Sequence, residues 1–296
     1  EKSKALQDTP FQRLEAMNPG AVSLYRDQGI DLATEPLEVA VCAQHNNGGL
    51  ATNHWWESCT IRHLFPIGEV NGSHGVARPG GAALNAGQVG GFRAADYIAH
   101  VYATPSLECR EVEKRADAAL DRWRFRAQAG RTAKRSWREE RGEMQERMTR
   151  AGAQVRDLGL VEKALAEAEA QYHRLDESGC LWETPRGLAE ACRNHHLALA
   201  SCAYLSAIAM ALRSGVGSRG SAIVIYPQGR EIDSSLDATW RLQSEDEAFR
   251  GRVLTTTPSG NGTFLHEWVP CRPIPESDLW FETAWKKFRE GGRYGQ

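Results

Sequence analysis

The chain reads as a mixed α+β protein in which a short α/β part gives way to a helical part and then to a small α/β tail. Three observations lead there. The run from Leu64 to Ala95 has the order of buried strand, glycine-punctuated loop and helix. From Leu107 to about Arg174 the composition turns abruptly to Arg, Glu and Ala, with Leu120, Trp123, Trp137, Met144, Met148, Val155 and Leu158 at helical intervals. Beyond Gly217 strand-like runs return. These shifts divide the chain into 1–35, 36–105, 106–215 and 216–296.

Phe11 to Gln28 has helical spacing, and Asn18-Pro19-Gly20 should stop or restart that helix. Leu37 to Cys42 reads as a strand. Leu64, Phe65 and Ile67 form a second, buried one, and Gly68 lets the chain turn after it. The helix opening near Gly81 runs from Ala82 to Tyr102, with Leu84, Val89, Phe92, Ala95 and Ile98 facing inward, and it ends before Pro105. The Arg-rich segment should fold as two or more long helices in a hairpin, with Gly152 and Gly159 as breaks. Arg186 to Arg213 forms a further helix packed on that hairpin. Its apolar run, Leu197 to Leu212, is shorter than the roughly twenty residues a bilayer span needs, so a core helix is expected and membrane insertion is not. Ala222 to Tyr226 is a buried strand ended by Pro227, strands follow at Arg252 to Thr257 and Thr263 to Val269, and Pro275 to Arg289 is a short helix.

The loop after Ile67 carries the chemistry. Glu69 falls at the carboxyl end of the expected strand, the edge where open α/β folds bind nucleotides, and a carboxylate there accepts hydrogen bonds from sugar-like hydroxyls. Gly80 and Gly81 remove side chains where backbone must approach a flat ring, and Gly68, which turns the chain, is counted with them among the cofactor-binding residues. The helix start at Ala82, Ala83 and Leu84 then offers unpaired N–H groups and a positive dipole end, which suits the N1/C2=O edge of a reduced flavin. Arg78 has the planar fork that clamps a carboxylate; its structural alternative is to bridge loop carbonyls. His74 faces either substrate or the loop backbone.

At these residues the sequence resembles the succinate dehydrogenase/fumarate reductase flavoprotein family, which includes L-aspartate oxidase. Members carry Gly-Glu, then a His-Gly-Ala-Asn-Arg-Leu-Gly-Gly-Asn-Ser-Leu-like run, then a helix with Gly-Xaa-Xaa-Ala-Ala. Here the run is His74-Gly75-Val76-Ala77-Arg78-Pro79-Gly80-Gly81-Ala82-Ala83-Leu84, identical in length. The resemblance implies that Glu69 contacts FAD hydroxyls, that Ala82, Ala83 and Leu84 present backbone to the isoalloxazine, and that Arg78 binds a substrate carboxylate. Upstream, Gln44-His45-Asn46-Asn47-Gly48-Gly49-Leu50 is similar to a second element, with Gln44 where the family has its substrate-binding His. Gln44 is uncharged and moves no proton near neutral pH, so Gln44 and His45 divide that role, and Ala77 replaces the Asn before the Arg. The implied function is hydride transfer between FAD and a small, carboxylate-bearing substrate.

The family's pyrophosphate-binding segment is not found. Gly215-Val216-Gly217-Ser218-Arg219-Gly220 leads into a strand-like run, which breaks the strand, turn, helix context of a dinucleotide fingerprint. The chain is therefore expected to be the carboxyl-terminal part of a longer flavoenzyme: residues 1–35 the tail of a capping domain, 36–105 the end of the FAD-binding domain, 106–215 a helical domain, 216–296 a small tail. Its partner would be the amino-terminal half, in the same polypeptide or on a separate chain, and alone it should be inactive. Arg219 is expected at the junction of the helical and FAD-binding parts. A binding or assembly module that retains half a flavin cleft, without catalysis, is the alternative.

Composition narrows the rest. Thirty-six basic and 38 acidic side chains give a net charge of −2, which steers toward neither DNA nor a membrane surface. Residues 111–150 hold 12 basic and 8 acidic side chains, too small an excess for a phosphate-tracking face, so no nucleic acid is expected; partner docking or a homo-oligomer contact stays open. Seven cysteines without Cys-Xaa-Xaa-Cys point to reduced thiols and a cytoplasmic protein. Cys42, His45, His54, Cys59 and His63 match no common zinc spacing, so no metal is expected. Trp55 and Trp56 pack over the cofactor, over a domain seam or in the core.

Overall fold

The computed structural model describes residues 9–37, 48–74, 81–102, 109–220, 222–273 and single positions near the carboxyl end. The chain separates into two compact units, Glu1–Asn46 and Asn47–Gln296. In the first, α1 (Pro10–Met17) and α2 (Pro19–Asp27) follow one another across Asn18. Thr9 and Gln12 form a reciprocal capping box at α1, and Asn18 ends that helix while its side chain caps the next. The Asn-Pro-Gly break is thus where its chemistry places it.

The second unit begins with an irregular stretch, residues 48–74, containing a 3-10 turn at Gly68–Asn71. The long helix α3 (Ala82–Val101) follows. The expected strand at Leu64 to Ile67 does not form: those residues are extended without sheet pairing, and Leu64 is 40% exposed. Their backbone joins a local loop instead, Ser58 N–H donating to the Leu64 carbonyl. The expected face of α3 is also reversed. Gly90, Ala94 and Tyr97 are buried, whereas Leu84, Val89, Phe92, Ala95 and Ile98 are exposed. The bulky Trp55 loop packs on α3, and it needs the small residues of the helix on that side. The apolar stripe lies opposite.

The helical part comprises α4 (Cys109–Gly130), α5 (Trp137–Arg147), α6 (Leu158–Ser178) and α7 (Pro185–Arg213). A π-helical turn, Met148–Gly152, and the two-residue strand β1 (Val155–Arg156) link α5 to α6. Gly152 ends that turn as expected, but Gly159 sits inside the first turn of α6, where Asp157 caps. Small side chains set the core: Ala164 and Ala168 of α6 and Cys202 and Ala209 of α7 are fully buried around Val161 and Leu205. This lets α6 and α7 approach closely. By length and composition α7 could cross a membrane, yet Asn194, His195, Ala198, Cys202, Leu205 and Ala209 are buried in the fold.

One buried ion network locks α5 to α6. Glu140, 1% exposed, accepts from Arg174 at 2.9 Å and from Gln171 at 2.6 Å and pairs with Arg135 at 2.9 Å. Gln171 in turn accepts from the buried Arg147 at 2.8 Å, whose other amine reaches Glu143. Burial works to raise the Glu140 carboxyl, but its bonds from Arg174 and Gln171 hold it below the ordinary range.

The tail holds β2 (Ile223–Glu231), β3 (Arg241–Leu242), β4 (Arg252–Gly260) and β5 (Thr263–Pro270). β2 pairs parallel with β1 and antiparallel with β3, while β4 and β5 form a separate hairpin. Pro227 does not end β2, which runs on to Glu231 with only Val224 buried; the β2 to β3 register shifts between Ile225 and Arg230, leaving the proline unpaired. The described partners of Arg219 are Glu245 and the Phe249 carbonyl, both in the tail, not in the region expected to bind FAD. The expected strand at Leu37 to Cys42 and nearly all of the expected helix at Pro275 to Arg289 lie outside the described residues.

Because Glu140→Ala takes the carboxylate from buried Gln171 and from Arg174 and Arg135, it should lower unfolding stability by about 2–3 kcal/mol, measured by urea denaturation at pH 7. The depressed carboxyl contributes stability that is fully present above the ordinary carboxylate range and is lost as pH falls from that range through the carboxyl's own lower value. The gap between parent and variant should therefore narrow in acid; a gap unchanged down to pH 3 would contradict the network.

Candidate functional site

The candidate site is built where two backbone segments interlock. Leu50 N–H donates to the Val70 carbonyl at 2.8 Å, so Gly48–Gly49 lies directly on the 3-10 turn. A Cβ on Gly49 would fall 2.2 Å from the Val70 oxygen, so no other residue fits there. Gly68 opens the turn at φ +78, and Gly72 closes it in the left-handed region. Glu69 stands in the turn's first part, exposed to solvent, and His74 follows, half-buried.

Gly81 starts α3 at φ +79, a conformation that a side chain would strain, and an added Cβ would meet open space. Its carbonyl accepts the first helical bond, from Asn85 N–H at 3.2 Å. The amides of Ala82, Ala83 and Leu84 precede that bond, and among the described residues no side chain caps them. Ala82 and Ala83 are half-buried and Leu84 is 74% exposed. The result is an open, positively polarised helix end beside a carboxylate-bearing turn. A flat, electron-rich ring fits such a rim, so Gly68, Glu69, Gly81, Ala82, Ala83 and Leu84 are compatible with the flavin edge read from sequence. Gln44, His45, Arg78 and Gly80 lie outside the described residues.

Behind the rim stands a group with no signature in the sequence motifs. Glu57, 8% exposed, accepts the Tyr97 hydroxyl at 3.4 Å, the His63 amide at 3.0 Å and the Tyr102 hydroxyl. Burial works to raise its carboxyl, and the three bonds together outweigh burial and hold it low. The same burial and the Glu57 charge push Tyr97 up. Trp55, buried, stacks on Tyr97 at 5.7 Å, which gives it a core role. The signal available in sequence was a lone Glu after two tryptophans, with two tyrosines five residues apart in the helix ahead.

Among the described residues no group of three or more His, Cys, Asp or Glu is placed to hold a metal. Burial pushes the thiol of Cys202 up to about 12 and that of Cys180 up to about 11, so both are inert.

This arrangement defines a class: a mixed α/β chain with the fold of the carboxyl-terminal part of flavoprotein subunits of fumarate reductase and succinate dehydrogenase. The particular relatives agree. The fumarate reductase (CoM/CoB) A subunit of Methanothermobacter marburgensis is 44% identical over 71 residues, 24% of this chain and 13% of that protein. A variant of E. coli quinol fumarate reductase superposes with a TM-score of 0.67 at 18% identity, covering 92% of this chain and 45% of its own. The Mycobacterium smegmatis Sdh1 complex in its apo form gives 0.63 at 20% identity, with coverage of 94% and 44%. No family profile matches. The chain thus spans less than half the length of these relatives, and the resemblance to fumarate reductase and succinate dehydrogenase flavoprotein subunits read from the sequence holds. The matches do not favour a non-catalytic assembly module.

Gly49→Ala should break the interlock. Hydrogen exchange is expected to accelerate together at Leu50 and at residues 69–72, with α6 and α7 unchanged; protection kept at both segments would show that the contact does not hold the turn.

Proposed function

We propose that this chain is the carboxyl-terminal portion of an FAD-dependent oxidoreductase of the fumarate reductase/succinate dehydrogenase kind, acting on a small, carboxylate-bearing substrate. The observation that carries the reading is the start of α3 at Gly81, uncapped among the described residues and set beside the turn that bears Glu69. When bound, FAD would supply two-electron hydride chemistry. The chain's own residues bind, orient and polarise.

In this reading Glu69 accepts hydrogen bonds from the cofactor's hydroxyls, and the amides of Ala82, Ala83 and Leu84 donate to the edge where negative charge develops on reduction. Arg78 holds a substrate carboxylate through two parallel N–H bonds, and Gln44, His45 and His74 line the substrate side. None of the last three is assigned the proton. The proton donor is placed in the amino-terminal half, carried by the same polypeptide or by another one, with residues 1–35 belonging to a capping domain and 36–105 to the FAD-binding domain. The flanking helical part and tail, 106–215 and 216–296, complete the fold. A reducing, cytoplasmic setting suits the free thiols.

Two substitutions in the enzyme assembled with its amino-terminal half test the assignments separately. Glu69→Ala should weaken FAD binding by roughly tenfold, about 1.4 kcal/mol, read from flavin absorbance retained after dialysis; equal retention would remove Glu69 from the cofactor. Arg78→Lys keeps the charge and loses the fork, so flavin should stay bound while turnover falls roughly 100-fold. Unchanged turnover would reject the clamp.

A further inference from the structure

Arg93 lies eleven residues beyond Ala82, about 16 Å along the α3 axis from the flavin rim. Its guanidinium stands over two indoles, 4.5 Å from the Trp55 ring centre and 5.5 Å from that of Trp56. It is half-buried, and among the described residues no carboxylate or other acceptor meets it. Burial alone pulls it below the ordinary arginine range. A desolvated fork held only by ring faces keeps its N–H donors in hand.

Two more cation-capable groups stand at this loop. The His54 ring is 5.0 Å from that of Trp55, and Arg272 donates to the Thr52 carbonyl at the head of the loop. Burial first, then the charges of Arg93 and Arg272, push His54 down. The nearest acids are occupied: Glu57 by Tyr97, Tyr102 and the His63 amide, and Asp96 with His100 at 3.3 Å. The loop thus brings Arg93 and Arg272 to Trp55 and His54, while its own carboxylate, Glu57, is committed to Tyr97, Tyr102 and the His63 amide.

We propose that Arg93, Arg272 and His54 form a binding site for the carboxylate of a small ligand, separate from the flavin rim. Arg93 donates both N–H bonds of its fork to one carboxylate, Trp55 and Trp56 hold the guanidinium flat, Arg272 adds charge, and His54, pushed toward its neutral form, adds a ring nitrogen for hydrogen bonding rather than a charge. Arg272 is already engaged with Thr52, so one free fork remains. That geometry matches one planar carboxylate better than a tetrahedral phosphate, which calls for donors on several sides. The proposal needs no flavin, so its failure and that of the flavin reading are distinguishable.

The test uses the 296-residue chain without flavin, titrated with glutarate at ionic strength held constant with sodium chloride, read by calorimetry and tryptophan emission. A saturable response is expected, half-complete in roughly the millimolar range. Arg93→Gln should weaken it by about tenfold or more, and Arg93→Lys, which keeps the charge, should also weaken it several-fold because the fork is gone. Arg93→Lys decides the matter should Arg93→Gln fail to fold. The site is overturned by an absent saturable response, by half-saturation in Arg93→Lys equal to the parent's, or by inorganic phosphate binding more tightly than glutarate under the same conditions.

Discussion

The buried carboxylate of Glu57 is the constraint on which the rest of the site depends. It gathers Tyr97 of α3, Tyr102 at that helix's carboxyl-terminal cap and one amide of its own loop, so the otherwise irregular stretch from Thr52 to Ile67 is fastened to a single helix. A buried charge so surrounded keeps one geometry, because any rotation would strand it without donors. With the loop fastened, Trp55 lies against Tyr97 and Arg93, and the 3-10 turn at Gly68–Asn71 is delivered to the near end of the helix. Site geometry follows from that anchor.

The anchor also explains which side of α3 is covered. A loop carrying two indoles cannot approach a helix through Leu84 and Phe92, but it can approach through Gly90 and Ala94. The apolar stripe of Leu84, Phe92 and Ile98 is consequently left outward, with Leu84 and Phe92 among the most exposed large side chains of the chain. The helical part is built on a different logic, small residues along the α6 to α7 seam and a buried Glu140 to Arg147 network beside it.

Where local chemistry decides the outcome, it was legible in the sequence. Asn18-Pro19-Gly20 carries its own stop and cap, Gly81 starts the helix that the glycine pair announces, and the Arg252 and Thr263 runs pair as a hairpin. Where long-range packing decides, it was not. Leu64 to Ile67 has a strand's composition but finds no strand to pair with, and an amphipathic reading of α3 cannot know that a tryptophan loop will claim its small-residue side. Glu57 escaped notice for the same reason: its meaning comes from Tyr97 and Tyr102, 40 and 45 residues away. Pro227 misled because a proline ends a strand only where its missing N–H is needed, and the shifted register of β2 leaves it out.

In the proposed flavin cleft the amino end of α3, uncapped among the described residues, forms one wall. The most direct measurement is a crystal structure of the chain joined to its amino-terminal half with FAD bound, reading the distance from the Ala82, Ala83 and Leu84 amides to the N1/C2=O edge. The account predicts at least one contact of about 2.7–3.2 Å. A flavin seated elsewhere, with those amides turned to solvent or closed by a protein side chain, would contradict it.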